Sequence, residues 1–428
     1  MSAQSEAPAG AQQTSRIFRH AVLPALNIVY AREEPPQSYA KSIFLVGPTP
    51  RSDEVPSWRP EALRLLRATG YDGVVFVPED RPNAVGSRRM KDNYDGQIDW
   101  EERCLNLADV ILAWVPRNLQ TMPALTTNVE WGRWQASGKI VLGSPSDAVK
   151  NSYLESNARS LQVSLSTTLE HTVEHAIELL GDGSNRQCGE REVPLYVWRT
   201  TSFQQWYASL VQAGNTLEHA KVEWTFRVGP ARRYVLFWAL RVEIHIAAEG
   251  RSKTNEVVIG RPDISTIMLY QRATDINDSV VILIREFRSP ASNTEGFVYE
   301  LAGGSSFNAA DDPLVLAAHE CEEETGLRVD PGRFRQHGVR QVVATLSAHR
   351  AHLFSVELTD AEVGLLRADT GNPHGSVSDT ERTHVEVVTL GAIREQQLVD
   401  WSMIGMITDT LLSGNQSTAT TTKGKVAV

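Results

Sequence analysis

Glu320, Glu323 and Glu324 crowd into one short segment, His319-Glu-Cys-Glu-Glu-Glu-Thr-Gly-Leu327. On a helix, at about 100° per residue, the three acids share one face. Leu314, Ala317, Ala318 and Cys321 take an adjacent apolar face that can be buried. Acids on one stripe repel each other unless a cation sits among them. A hard cation such as Mg2+ takes oxygen ligands and keeps water positions open for a phosphate substrate. A plain solvated acidic face is the competing meaning of such a run.

The surrounding residues specify how these acids are carried. Asp311 or Asp312 can cap the helix, Pro313 suits its first turn, and Gly326 stops it. Before it come an apolar strand over 280–288, a turn at Ser289-Pro290, a second strand over 296–300, and Gly303-Gly304. Strand, glycine loop and acidic helix in this order resemble the Nudix hydrolases, closest to the branch acting on ADP-ribose and nucleotide sugars. Glu320, Cys321, Glu323, Glu324, Gly326 and Leu327 match the second half of that family's box. His319 stands where the family has Arg, Asp311 where it has its first Glu, and Ser305 where it has Gly. The family arginine ties a glutamate in place, and a histidine does so only when protonated or as a single donor.

The resemblance implies an α+β Nudix fold with a mixed sheet and a Mg2+ (or Mn2+) site made by Glu320, Glu324 and Glu323, with Glu323 also in a catalytic role. It further implies a catalytic acid at Glu381, in the polar loop 375–384, which a surface acid would match equally well. Arg285 and Arg288, at the end of the strand before the box, are candidate diphosphate contacts. Their odd spacing puts them on opposite faces of a regular strand.

The first half of the chain alternates strands and helices. Strands read at 42–46, 73–77, 109–115 and 139–142, and helices at 60–68, 100–108, 128–136 and 169–180. That pattern specifies an α/β fold, an open parallel sheet of flavodoxin-like or Rossmann-like type with helices on both faces. Ligands then bind beyond the carboxyl ends of the strands. Three segments fall there: residues 47–51, the helix start Asp99-Trp100-Glu101-Glu102, and residues 123–132 ending in Asn128-Val129-Glu130-Trp131-Gly132. This set resembles the nucleoside 2-deoxyribosyltransferases and their nucleotide N-glycosidase relatives over residues 43–180.

The resemblance makes Glu130 the nucleophile of a glycosyl-enzyme intermediate and Glu101 the second acid. Cleaving an N-glycosidic bond builds oxocarbenium character at the anomeric carbon, which one carboxylate can attack while another protonates or holds the base. The spacing Thr127-x-x-Glu130 also reads as a capping box, in which the glutamate only satisfies a backbone N–H. An acid that the family carries six residues before its nucleophile has no counterpart, because Ala124 occupies that place. Gly47, Thr49, Arg51 and Asn128 are the candidate substrate contacts, with Arg51 able to hold a phosphate by paired hydrogen bonds. Trp58, Trp100, Trp114, Trp131 and Trp134 read as core or interface residues, with room for one to stack on a base.

Composition sets the remaining bounds. The 428 residues, 41% hydrophobic and 22% charged, suit two or three globular domains. A net charge of −10 argues against nucleic acid or an anionic membrane as partner. Cys104, Cys188 and Cys321 form neither a disulfide framework nor a zinc pattern, which suits a reducing, cytoplasmic setting. No apolar run reaches the roughly 18 residues of a membrane span, and no secretory signal is evident.

The domains read as a disordered or extended tail over 1–38, a deoxyribosyltransferase-like domain over 39–182, a linker over 183–195, a Nudix domain with an N-terminal β extension over 196–412, and a tail over 413–428. The function expected is a bifunctional, homo-oligomeric enzyme of small-molecule nucleotides. A nucleotide-binding sensor with inactive sites is the alternative. A further alternative keeps only the second half active and uses the first as a dimer scaffold.

Overall fold

Strands built from unbroken Val, Ile, Leu and Phe need cover on both faces. The computed structural model describes residues 26–82, 94–229, 232, 234–306, 312–375 and 382–413. Its first eight strands are β1 (Asn27–Tyr30), β2 (Ser38–Tyr39), β3 (Ser42–Val46), β4 (Val74–Val77), β5 (Val110–Trp114), β6 (Ile140–Gly143), β7 (Leu165–Ser166) and β8 (Arg186–Gln187). Six of them form one sheet in the order β1-β4-β3-β5-β6-β7, with every pairing parallel. β2 and β8 pair separately.

Alternate residues of each strand feed two cores. Ile43 and Leu45 of β3 pack with α1 (Arg59–Ala68) and α5 (Leu169–Leu180). Phe44 and Val46 pack with α2 (Tyr94–Leu107), α3 (Leu125–Trp134) and α4 (Ser152–Ser160). The open parallel sheet with helices on both faces is as the sequence specifies.

Two details differ. Residues 27–30, assigned to the tail, form an edge strand beside β4, with Asn27 opposite Val74. Four residues carry too little periodicity to announce themselves. Residues 1–25 and 414–428, the larger part of the two expected tails, lie outside the described residues.

The segment 183–195 is packed. Arg186 and Val193 are fully buried, and Gly189 sits so close to Glu218 and His219 that a Cβ there would meet backbone atoms at 2.6 Å. Arg186 donates to Asp109 Oδ2 at 2.7 Å, with both side chains wholly buried. The Asp109 carboxylate also accepts from the Ser42 amide and hydroxyl and from the Leu195 amide. Breaking a buried pair from one side leaves the other charge uncompensated. Arg186→Ala should therefore cost about 3–5 kcal/mol of stability. A loss under about 1 kcal/mol in urea unfolding would show that the pair is dispensable.

Beyond this segment come α6 (Leu195–Trp198) and α7 (Thr201–Gln212), then the antiparallel strands β9 (Thr216–Val228), β10 (Tyr234–Ile246) and β11 (Arg251–Gly260) in the order β11-β10-β9. Trp198 and Phe203 join Trp238 and Leu240 of β10 to the core under α1 and α5. The β extension thus shares a hydrophobic core with the parallel sheet.

The remaining strands are β12 (Ile264–Gln271), β13 (Val280–Phe287), β14 (Phe297–Glu300), β15 (Ala302–Gly304), β16 (Arg335–Gln341), β17 (Arg350–Glu357), β18 (Pro373–His374) and β19 (Thr383–Thr389). They form a mixed sheet in the order β16-β17-β12-β13-β19-β18, with β14 on β13 and β15 on β12. Within this sheet, among the described strand pairings, only β12 and β17 run parallel. On one face Ile267, Leu269 and Ile282 meet α8 (Pro313–Thr325) and α9 (Asp360–Asp369). On the other, Met268, Val281 and Leu283 meet α10 (Leu390–Glu395) and α11 (Trp401–Ser413). Among the described residues no helix is long and apolar enough to cross a membrane. All three cysteines are free.

Candidate active site

The order β4-β3-β5 reverses direction about β3, which opens a crevice beyond the carboxyl ends of β3 and β5. The loop after β3 enters it at Gly47, where φ is +155° and a Cβ would lie 2.2 Å from the Trp114 carbonyl. Only glycine tolerates that approach. The loop is held from below by Arg59, which is 1% exposed. Its guanidinium donates to the carbonyls of Leu45 and Gly47, to the Thr49 hydroxyl and to Glu79. Gly47 and Thr49 therefore act in the site's framework, with Thr49 still exposed to solvent. The Arg51 side chain is also exposed, while its amide donates to the Thr121 carbonyl and joins the loops after β3 and β5.

Two helices bring the acids to this crevice. Glu101, on α2, accepts a 2.7 Å hydrogen bond from the buried Gln97. Glu130, on α3, is half-buried. Burial pushes the Glu130 carboxyl up to about 7, with the nearby Glu101 charge adding to the rise and Arg59 opposing it. Burial also raises Glu101, against the pull of Gln97 and Arg59. Glu101, Glu130 and Arg59 thus lie close enough for their charges to act on one another. Two carboxyls in different surroundings, steadied by one buried cation, can divide nucleophile and acid roles between them.

The capping-box reading of Glu130 does not hold. α3 begins at Leu125, three residues before the expected start, and its cap is Ala124 with no side-chain hydrogen bond. Thr127 is buried inside the helix, so Glu130 cannot close a box with it. Ala124 adopts a left-handed backbone, φ 59° and ψ 39°, an uncommon state for a residue with a Cβ. Asn128, on the next turn, accepts a hydrogen bond from Arg117.

Sequence reasoning passed over Arg59, Gln97 and Arg117. The signal for Arg59 was available, since Trp58-Arg59-Pro60 opens a helix just beyond a central strand. Of the five tryptophans, Trp58, Trp100, Trp114 and Trp131 are buried, as expected of core residues. Trp134 is partly buried.

The second acidic cluster lies on α8, capped by Asp312 and ended by left-handed Gly326. Glu324 is 6% exposed and accepts from the Gly303 amide at 2.8 Å. The Glu320 carboxylate lies against Gly304, where a Cβ would come within 2.1 Å of Oε1. The absence of a side chain on Gly304 is what admits it. Glu323 turns its carboxylate to exposed His319, at 3.4 Å, and its carbonyl accepts from Gly375.

Among the described residues no group of three or more His, Cys, Asp and Glu side chains is gathered tightly enough to hold a metal. The expected trio is thus not assembled as a three-ligand set. Glu320 and Glu324 both meet the Gly303-Gly304 strand, and one or two carboxylates are a usual protein share of a Mg2+ shell. Glu381 and Asp311 lie outside the described residues. Arg285 pairs with Glu386 and stacks on Phe297. Arg288, just past β13, pairs with Glu286 and Glu300. Either arginine would have to exchange a carboxylate for a diphosphate.

The family model described as nucleoside 2-deoxyribosyltransferase like matches residues 40–148. That span contains β3 to β6, the Arg59 cradle and both Glu101 and Glu130. No curated protein matches the chain.

Proposed function

We propose, from the premise that residues 40–148 form a nucleoside 2-deoxyribosyltransferase-like domain, that the chain processes nucleotides by cleaving or transferring across an N-glycosidic bond. The observation that carries this reading is the placement of Glu101 and Glu130 around buried Arg59 at the sheet's switch point. Glu130 attacks the anomeric carbon as its bond to the base nitrogen breaks. The electron pair leaves with the base, which takes a proton from Glu101 or from water. Water or an acceptor hydroxyl then displaces Glu130, giving its proton back to Glu101 or to solvent, and the carboxylate is restored.

Glu130 must be ionised to attack. Base release should therefore rise with pH through an apparent value near 7. Glu101→Gln removes a like charge and should move that limb to lower pH, by less than the whole shift because burial is the larger cause. A rate that is flat from about pH 5 to 9 would remove Glu130 from this role.

For the C-terminal half we propose a Nudix hydrolase, cutting a nucleoside diphosphate linked to another group. Support comes from the box residues Glu320, Glu323, Glu324, Gly326 and Leu327, and from the mixed sheet held between α8 and α11. Glu320 and Glu324, with Glu323 beside them, would hold Mg2+ or Mn2+, which supplies diphosphate neutralisation and water activation when bound. Gly303 and Gly304 position these two acids, and His319 holds Glu323 in place of an arginine. Run in series, the diphosphate cut would yield a monophosphate for the glycosidic site.

A second reading has the C-terminal half bind a nucleotide without cutting it. His319 in the place of the box arginine favours it. A panel of nucleosides, nucleotides and diphosphate conjugates, incubated with Mg2+ and followed by mass spectrometry, separates these outcomes. Free base supports the glycosidic proposal, monophosphate the Nudix proposal, and saturable nucleotide binding without monophosphate, followed by calorimetry, the binding-only reading. Neither product from any compound would reject both activities.

A further inference from the structure

A cleft of about 450 Å³ lies between α3 and α4, lined by Arg117, Asn128, Trp131, Gln135, Lys150 and Tyr153 among others. Neither Glu101 nor Glu130 lines it. Asn128 and Glu130 are two residues apart on α3, so they point about 200° apart around the helix. The cleft therefore occupies the opposite side of α3 from the acid pair.

Behind its wall lie two buried hydrogen-bond donors that have no partner among the described residues. Arg117 is 8% exposed, and its Nε has no partner. Trp131 is 2% exposed, and its indole Nε1 has none either. The rest of the guanidinium is held by neutral acceptors. Nη1 donates to the Lys150 carbonyl at 2.9 Å, and Nη2 donates to Asn128 Oδ1. Among the described residues no carboxylate forms an ion pair with Arg117. Elsewhere the fold does supply one, Glu79 for Arg59 and Asp109 for Arg186. A buried, fixed cation without a counter-charge is costly to keep. Orphaned donors in a roomy cleft have a use when a ligand brings the acceptors.

We propose that the α3–α4 cleft binds a phosphate-class oxyanion, as free phosphate or as the phosphate of a nucleotide. Arg117 Nε and Trp131 Nε1, both closed to solvent in the structure, turn toward the cleft to donate to its oxygens, and the Lys150 ammonium, at the exposed rim, adds charge. The cleft is larger than phosphate alone requires. Its volume falls in the range of small-molecule pockets, and Tyr153, 75% exposed at its edge, offers a ring for a base. The proposal stands independently of the glycosidic chemistry, since it uses neither Glu101 nor Glu130.

The test is calorimetric titration of the full chain at constant ionic strength with inorganic phosphate, a nucleoside 5′-monophosphate and the same nucleoside. Wild type should bind phosphate or the monophosphate saturably. Arg117→Gln and Trp131→Phe should each weaken that binding, by at least ~10-fold and a few-fold respectively. Glu130→Gln should leave the Arg117-dependent binding unchanged, which separates this cleft from the acid pair. A monophosphate that binds at least ~10-fold tighter than phosphate identifies the nucleotide as the source. Equal affinities identify the free anion. Circular dichroism establishes that the variants fold, and Trp131→Phe provides the answer if Arg117→Gln does not. The proposal is overturned if neither anion binds at millimolar concentration, or if binding survives intact in the folded variants.

Discussion

Glu130→Gln should lower release of free base by at least ~10³-fold while raising the thermal midpoint at pH 8. The loss follows from removing the nucleophile without changing its shape. The gain follows from linkage. The Glu130 carboxyl ionises near 4.5 when unfolded and is pushed up to about 7 in the fold. Between those values the folded chain keeps a proton that the unfolded chain has lost. Stability from this group is present below 4.5 and disappears as pH rises through about 7. At pH 8 the fold carries the full cost of a buried charge, up to about 3 kcal/mol, and glutamine removes it. At pH 4 the two proteins should melt together. A side chain that only packs on α3 predicts catalysis retained and no such pH-dependent gain. Measuring base release and melting on the same variant across pH decides between them.

Glu324→Gln should reduce Mg2+-dependent diphosphate hydrolysis by roughly 10²-fold. Glutamine can still accept from the Gly303 amide, so the 2.8 Å contact that seats the side chain survives. What is lost is the anionic oxygen next to Glu320. Base release in this variant should stay within a few-fold of wild type, because Glu324 belongs to α8 and the acid pair to α2 and α3. Unchanged diphosphate hydrolysis, or full hydrolysis in excess chelator, would leave the Nudix proposal without its metal chemistry.

The parallel sheet was legible because strands such as Ile43–Val46 and Val110–Trp114 are apolar throughout and alternate with helices. Glu130 was legible from its setting in Asn128–Gly132. Its exclusion from a cap was not. That depends on where α3 begins, which the left-handed backbone at Ala124 decides against the capping preference of Thr127. Arg59 and Arg117 escaped notice because a single arginine reads as surface until tertiary contacts bury it.

In the C-terminal half, Asp312 and Gly326 bounded the acidic helix correctly. The partners of Arg285 and Arg288 come from β19, β14 and β13 itself, and no local pattern announces them. The segment 183–195 has the glycine and polar content of a linker. Its burial rests on one arginine finding Asp109.

As the proposed nucleophile, Glu130 would carry a covalent bond to the sugar. The most direct measurement is intact and peptide mass spectrometry of the full chain after incubation with a 2-fluoro-substituted nucleoside or nucleotide. The electron-withdrawing fluorine slows both displacements, and a good leaving base restores only the first, so the glycosyl-enzyme accumulates. One glycosyl unit should be added to the peptide containing Glu130, with free base released in equal amount, and no adduct should form in Glu130→Gln. Base release from the wild-type chain with the sugar bound to another residue, or with Glu130→Gln equally active, would contradict that role.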